Sequence, residues 1–186
     1  MQLKHKLKIT TLMYGKLKHK MPLVCDAIYL AALRDNYRML EMLSDHYEQQ
    51  LMHNSHAERG DAFGRGALGK NAFHAAAINA NHATINTLIK LVMPLGQRAD
   101  SRRILVGDAF GCTPLHYAAI VARDEAMDPL LEMAQAESSE FMHQLLAQPD
   151  LRGRTPLHYA FYTNAEDILV NYCQRLDKIR LVKFFV

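Results

Sequence analysis

The sequence predicts an all-α solenoid of about four helix-turn-helix units, with the repeat extended to 42 residues. Three observations predict it. The segments GKNAFHAAA, GCTPLHYAA and GRTPLHYAF begin at Gly69, Gly111 and Gly153, so each copy starts 42 residues after the last. The letters that follow the second and third glycines read as a turn leading into a capped helix. Thr113 and Thr155 stand at N-cap positions, and Pro114 and Pro156 come next, where a missing amide hydrogen does no harm. Apolar residues then recur at helical spacing: Ile85, Leu88, Ile89 and Val92 after the first copy, Ile168, Leu169, Tyr172 and Leu176 after the third. A period of this size marks stacked units that cannot bury their apolar faces alone.

The shared string D-x-x-G-x-T-P-L-H-x-A-A resembles the ankyrin repeat, closely at 108–119 and 150–160 and more loosely at 69–77. At 26–43, DAIYLAALRDNYRMLEML keeps only the pattern of sizes. The resemblance divides the chain into a basic N-terminal arm or cap at 1–21 and a repeat domain at 22–186, with units near 22–60, 61–106, 107–148 and 149–186. It also implies that His74, His116 and His158, each five residues past its glycine, bond the capping residue and nearby backbone. His74 faces Asn71 where the other two face threonine, so its network is expected to be weaker.

Taken in order, the first unit has a stretched second helix, from about Tyr37 to His53, with Met39, Leu40, Leu43, Tyr47 and Leu51 on one side. In the second unit GDAFG occurs at 60–64 and again at 107–111, so Asp61 to Gly64 repeats the Asp108 to Gly111 offset. About five extra residues therefore separate its turn from its helix. Ankyrin units usually recur at about 33 residues, and the surplus here falls after the second helix. It lies in QRADSRRILVGD and QAESSEFMHQLLAQPD, where Arg103-Ile104-Leu105 aligns with Leu145-Leu146-Ala147. An extra short helix is expected in both connections, with Ser139 as a cap in the second. Such additions thicken the convex side and leave the concave face open.

Composition is that of a globular chain, with 49% hydrophobic and 22% charged residues. No apolar run is long enough to span a bilayer, and the Lys-rich opening lacks the apolar core of a secretory signal. Three separated cysteines, Cys25, Cys112 and Cys173, suggest neither a disulfide framework nor a zinc ribbon. A reducing, cytoplasmic setting is expected.

The net charge of +3 hides an asymmetry, because residues 1–20 hold six lysines and no acid. The remaining 16 basic and 19 acidic residues leave the body at −3, which argues against a body that wraps nucleic acid. For the arm itself three readings stay open: a hairpin or helix capping the first unit, a solvated arm, or an arm attracted to anionic membrane or nucleic acid.

Residues 64–70, GRGALGK, fit the G-x-x-x-x-G-K spacing of a phosphate loop. That loop needs a buried strand before it and Ser or Thr after its lysine, whereas AERGDAF precedes it and Asn71 follows. An ankyrin turn with an inserted Gly-rich tip accounts for the letters. The three repeated histidines sit too far apart on stacked units for one metal. His46, His53 and His56 would share one side of a persistent helix, yet without clustered Cys or acid they read as a polar helix end. Cys112 is four residues before His116, but is expected to point out of its turn as a solvent-facing thiol. No catalytic residue, metal or cofactor is expected. The closing IRLVKFFV either docks on the last unit as a cap, belongs to a longer chain, or serves as a tail read by a partner groove.

The resemblance implies binding of a partner protein, by a monomer, through finger tips and exposed ends of first helices. At the tips these are Lys70, Phe110, Cys112, Arg152 and Arg154; on the helices, Arg34, Asn79, Ile120, Val121, Tyr162 and Thr163. Phe110, Tyr162, Arg152 and Arg154 are the strongest anchors, because aromatics and arginine dominate interface energetics. The irregular repeat is also similar to those of effectors that intracellular bacteria deliver into a host cell. On that reading the host-cell cytoplasm is the setting, and deleting residues 177–186 abolishes delivery while sparing the fold.

Overall fold

Paired helices follow one another along the chain in the computed structural model, whose described residues are 22–44, 67–79, 82–92, 102–122 and 124–178. The first pair is α1 (Pro22–Leu33) and α2 (37–44); the second is α3 (Ala72–Asn79) and α4 (His82–Val92). The third is α5 (Pro114–Ile120) and α6 (Asp124–Glu137), and the last is α8 (Pro156–Tyr162) and α9 (Glu166–Lys178). Between them lie a 3₁₀ turn at Arg102–Leu105 and a further helix, α7 (Ser139–Ala147). The described residues contain no strand.

First helices stack in sequence, α1 on α3, α3 on α5 and α5 on α8, while α4 packs on α6 and α6 on α9. The first helices α3, α5 and α8 are short and carry small buried residues: Ala75, Ala76 and Ala77 in α3, Ala118 and Ala119 in α5, Ala160 in α8. Small side chains let neighbouring helix axes close up, and the long apolar residues of the second helices, Ile85, Leu88, Leu130 and Ile168, fill the layer behind. Each filled position of that kind contributes about 1.5–3 kcal/mol of burial. The core therefore runs along the stack.

The turns repeat with the same period. Gly69, Gly111 and Gly153 have φ of 75°, 76° and 76°, a left-handed conformation that confirms the 42-residue alignment. At the far end of the first helices, Asp35, Ala122 and Asn164 have φ of 51°, 52° and 53°. Asp35 and Asn164 close their helices with paired backbone bonds, Asp35 N–H to Ala32 O with Asn36 N–H to Ala31 O, and Asn164 N–H to Phe161 O with Ala165 N–H to Ala160 O.

Both connections carry extra structure, as the spacing predicts. Ile104 in the 3₁₀ turn and Leu145 and Leu146 in α7 are buried, and the two pieces touch. One detail is corrected: α7 is capped by Ser138, whose Oγ accepts the Phe141 N–H at 3.1 Å, and Ser139 is the first helical residue. Ser138 holds the extended backbone of a cap, which a residue inside the helix cannot. The arm at 1–21, the far half of the stretched helix to His53, the Asp61 to Gly64 turn, His46, His53, His56 and the tail from 179 lie outside the described residues.

Candidate functional site

Adjacent units are joined by a polar bond that repeats. The Thr113 N–H donates to His116 Nδ1 at 3.0 Å, which fixes Nδ1 as the acceptor, with the Thr113 hydroxyl 2.8 Å from the same nitrogen. The proton is left on Nε2, which donates to the Arg154 carbonyl of the next unit at 3.0 Å. In the unit before, the Asn71 N–H reaches His74 Nδ1 at 3.1 Å and His74 Nε2 donates to the Cys112 carbonyl at 2.9 Å. Burial lowers the His116 pKa and takes that of His74 down to about 4, against the raising effect of the carbonyls. Both rings are neutral spacers at pH 7.

Asn71 changes the local chemistry. Its Oδ1 accepts the His74 N–H at 3.1 Å and its Nδ2 donates to the Arg103 carbonyl at 2.9 Å, so the amide orientation is fixed. Oδ1 is then 2.7 Å from Nδ1 and cannot donate to it as a hydroxyl can. The hydroxyl bond that Thr113 can give its histidine thus has no equivalent at Asn71.

The turns at Gly111 and Gly153 are each built round an aspartate. Asp108 Oδ1 accepts the N–H groups of Phe110 at 2.9 Å and Cys112 at 3.1 Å, while Oδ2 accepts the Tyr117 hydroxyl at 2.6 Å. Asp150 repeats this with Arg152 at 2.8 Å, Arg154 at 2.9 Å and Tyr159 at 2.6 Å. Burial pushes the Asp150 carboxyl up, but the bonds from Tyr159 and the two backbone amides outweigh it and hold the group below the carboxylate range. The same burial and hydrogen bonding raise both tyrosines. The Tyr117 ring meets His74 edge-on at 5.9 Å, and Tyr159 meets His116 at 5.8 Å.

The fingers are also tied to one another, since the Ala109 N–H donates to the Leu68 carbonyl at 2.8 Å and the Leu151 N–H to the Phe110 carbonyl at 2.9 Å. Leu68, Phe110 and Arg152, 42 residues apart, are consequently an exposed row along linked tips. A second row on the helices, Ile78, Ile120 and Tyr162, is half-buried at the first two positions and ends on a tyrosine 78% exposed.

A family model of ankyrin repeats in three copies matches residues 28–140. The chain belongs to the ankyrin-repeat family. No curated protein matches it. Among solved structures it is similar to a chain in the crystal structure of the yeast ribosomal protein Rps3 in complex with its chaperone Yar1, at 16% identity and a TM-score of 0.60, covering 84% of this chain and 95% of that one. At this identity the likeness speaks for the fold.

Against that ankyrin frame the expected residues separate into two groups. Phe110, Arg152, Tyr162, Thr163, Arg34 and Asn79 are exposed, and Ile120 and Val121 are half-buried. Others are held inside the repeat. Cys112 is 5% exposed, not solvent-facing, because its N–H is drawn to Asp108 and its carbonyl accepts from His74; burial raises its thiol pKa. The Arg154 guanidinium is folded back, 3.0 Å from Asp150 Oδ2 and 4.5 Å from the centre of the Tyr159 ring. Lys70, the apparent phosphate-loop lysine, sits 4.3 Å over the Tyr117 ring. Thr163 donates from Oγ1 to the Ala119 carbonyl at 3.2 Å.

Pro114 and Pro156 are buried first residues of their ankyrin helices, and Thr155 and His158 repeat the capping bonds at 3.1 and 2.8 Å. Sequence reasoning missed the Tyr117 and Tyr159 bonds to aspartate, although the tyrosine follows histidine in both strict copies. It also missed Leu68, exposed and at φ 64°. Among the described residues no three His, Cys, Asp or Glu are grouped to hold a metal ion. None of their helices is long and apolar enough to cross a membrane.

Proposed function

We propose that the chain is a protein-interaction module that binds a partner protein along its linked finger tips and the neighbouring ends of its first helices. The observation that carries this reading is the row Leu68, Phe110 and Arg152, two large apolar side chains and one cation exposed on fingers held together by backbone bonds. Large apolar groups exposed on a rigid repeating scaffold suit a partner that buries them, and aromatic and arginine side chains make the strongest anchors. Tyr162 extends the surface from the tips to the helix row. Membership of the ankyrin-repeat family supports the reading, as does similarity to a chain of a ribosomal protein and chaperone complex. The anchors we assign are Phe110, Arg152 and Tyr162, with Leu68 beside them. Arg34, Asn79, Ile120, Val121 and Thr163 border this surface, whereas Lys70, Cys112 and Arg154 act within the repeat.

The test is affinity capture from cell extract with the wild type and with a Phe110, Arg152 and Tyr162 triple alanine variant of equal thermal stability. Loss of a true anchor weakens binding by about 2 kcal/mol or more, so the triple variant is expected to lose the captured partner. Equal capture by both proteins moves the binding face elsewhere. Delivery into a host cell as an effector would place the same surface against a host protein; delivery unaffected by removal of residues 177–186 would count against that role.

A further inference from the structure

In the second and third units the histidine Nε2 donates to a carbonyl 38 residues further on, Cys112 O for His74 and Arg154 O for His116. His158 has the same capping bonds from Thr155, yet its ring is exposed at the end of the described stack. Phe161, three residues after His158 and four after Leu157, lies beside both on the helix. On α9, Val170 stands 42 residues after Asp128, whose carboxylate reaches Asn171 and Arg175 of the next pair, so Val170 faces the same way. The end of the stack is thus an apolar face of Leu157, Phe161 and Val170 around one N–H donor.

A like unit stacked in the same register fits this face poorly. Ala77 and Ala119 are buried where first helices close on one another, and the corresponding residue here is Phe161, 65% exposed. A phenylalanine at that position holds off a helix at the spacing the two alanines allow. An occupant of smaller cross-section fits: a single apolar segment that lies over the phenyl ring and offers a carbonyl to His158.

We propose that residues 179–186 of this chain, IRLVKFFV, are that occupant and cap the stack. Helices α8 and α9 are joined through residues 163–165 and pack together, so they run antiparallel, and the 13-residue α9 carries the chain about 10 Å past the start of α8, where Leu157 and His158 stand. Eight further residues reach up to about 28 Å when extended, against roughly 20 Å for that overshoot and the length of the seven-residue α8 together. Six of the eight are apolar, and Arg180 and Lys183 can keep their charges in water along apolar stems. The preceding unit gives a precedent for the path. After α6 the chain turns directly into α7, which packs on α6 and α8 and buries Met142, and Phe184 stands 42 residues after Met142.

The test uses the full chain. Nuclear Overhauser contacts between the rings of Phe184 or Phe185 and the side chains of Phe161 or Val170 are expected in a protein that sediments as a monomer. Deleting residues 179–186 is expected to speed amide exchange in α8 by about tenfold or more, with less effect on α3. Should the deleted chain fail to fold, Phe184→Ser in the full chain gives the same comparison. A monomeric full chain without those contacts overturns the proposal. So does concentration-dependent association abolished by Phe161→Asp, which would assign the face to a second copy.

Discussion

Acidification should weaken this protein well above the pH at which its carboxylates titrate, and His74 is the reason. Its ring is fully buried, and its pKa is about 4 when folded, against about 6.5 in an unfolded chain. The unfolded state therefore takes up the proton first as pH falls. Stability from the neutral ring is fully present above pH 6.5, declines as pH drops towards 4, and is gone below that. Between those limits the loss amounts to about 3 kcal/mol, of which about 2 kcal/mol is already lost at pH 5. For a domain of this size that is a fall in Tm of about 4–8 °C between pH 7 and pH 5.

His116 is shifted in the same direction, so the wild-type slope contains both rings. The diagnostic quantity is the difference in slope between the wild type and His74→Gln, measured by urea denaturation at several pH values from 7.5 to 4.5. Glutamine keeps a donor for the Cys112 carbonyl and does not titrate. The variant should be less stable at pH 7 and lose less stability on acidification. Identical slopes, or a His74 ring that titrates near 6.5 by NMR in the folded protein, would refute the reasoning.

Three further outcomes follow from the turns. Ala122→Gly should raise stability by about 1 kcal/mol, seen as a higher urea midpoint, because Ala122 holds φ 52° without the freedom of glycine. Gly111→Ala and Gly153→Ala both place a Cβ at φ 76°, for about 1 kcal/mol each, but only the first meets the Leu151 backbone nitrogen at 2.9 Å. Gly111→Ala should accordingly lie at least about 1 kcal/mol below Gly153→Ala in thermal melts. Asp150 is depressed when folded, so its contribution is present above an unfolded pKa of about 4 and is lost as pH falls below it. Asp150→Asn should lower stability at pH 7 and flatten the part of the acid transition below pH 4.

Much of the scaffold was legible because its determinants are local and periodic. A glycine that must take positive φ, a threonine that must cap, and a proline that can only start a helix recur at one spacing, and each constraint acts within five residues of the next. The extra helix in the last connection was legible for the same reason, while its cap was misplaced by one residue because two serines stand side by side. Side-chain direction was not legible. Cys112 looked like a tip residue by position, but the carboxylate of Asp108 pulls its N–H inward and the His74 ring claims its carbonyl from a unit 38 residues away. The partner of Lys70, Tyr117, belongs to the following unit, so no local window contains both.

That distinction orders the surface. Lys70, Cys112 and Arg154 occupy one register position, and all three are engaged within the stack, by an aromatic ring, by backbone and by a carboxylate. Leu68, Phe110 and Arg152 occupy the position two residues earlier, and all three are exposed. In the last two turns the aspartate that precedes both positions, Asp108 or Asp150, explains the difference. One of its oxygens accepts from the amides two and four residues on, which closes the turn, and the other takes the tyrosine hydroxyl, which pins the turn to the first helix. A residue two positions past the aspartate is then held at the apex with its side chain outward, and a residue four positions past it is drawn back against the helix. Sequence change at the apex therefore leaves the stack largely undisturbed, while change at the inner position acts on stability first.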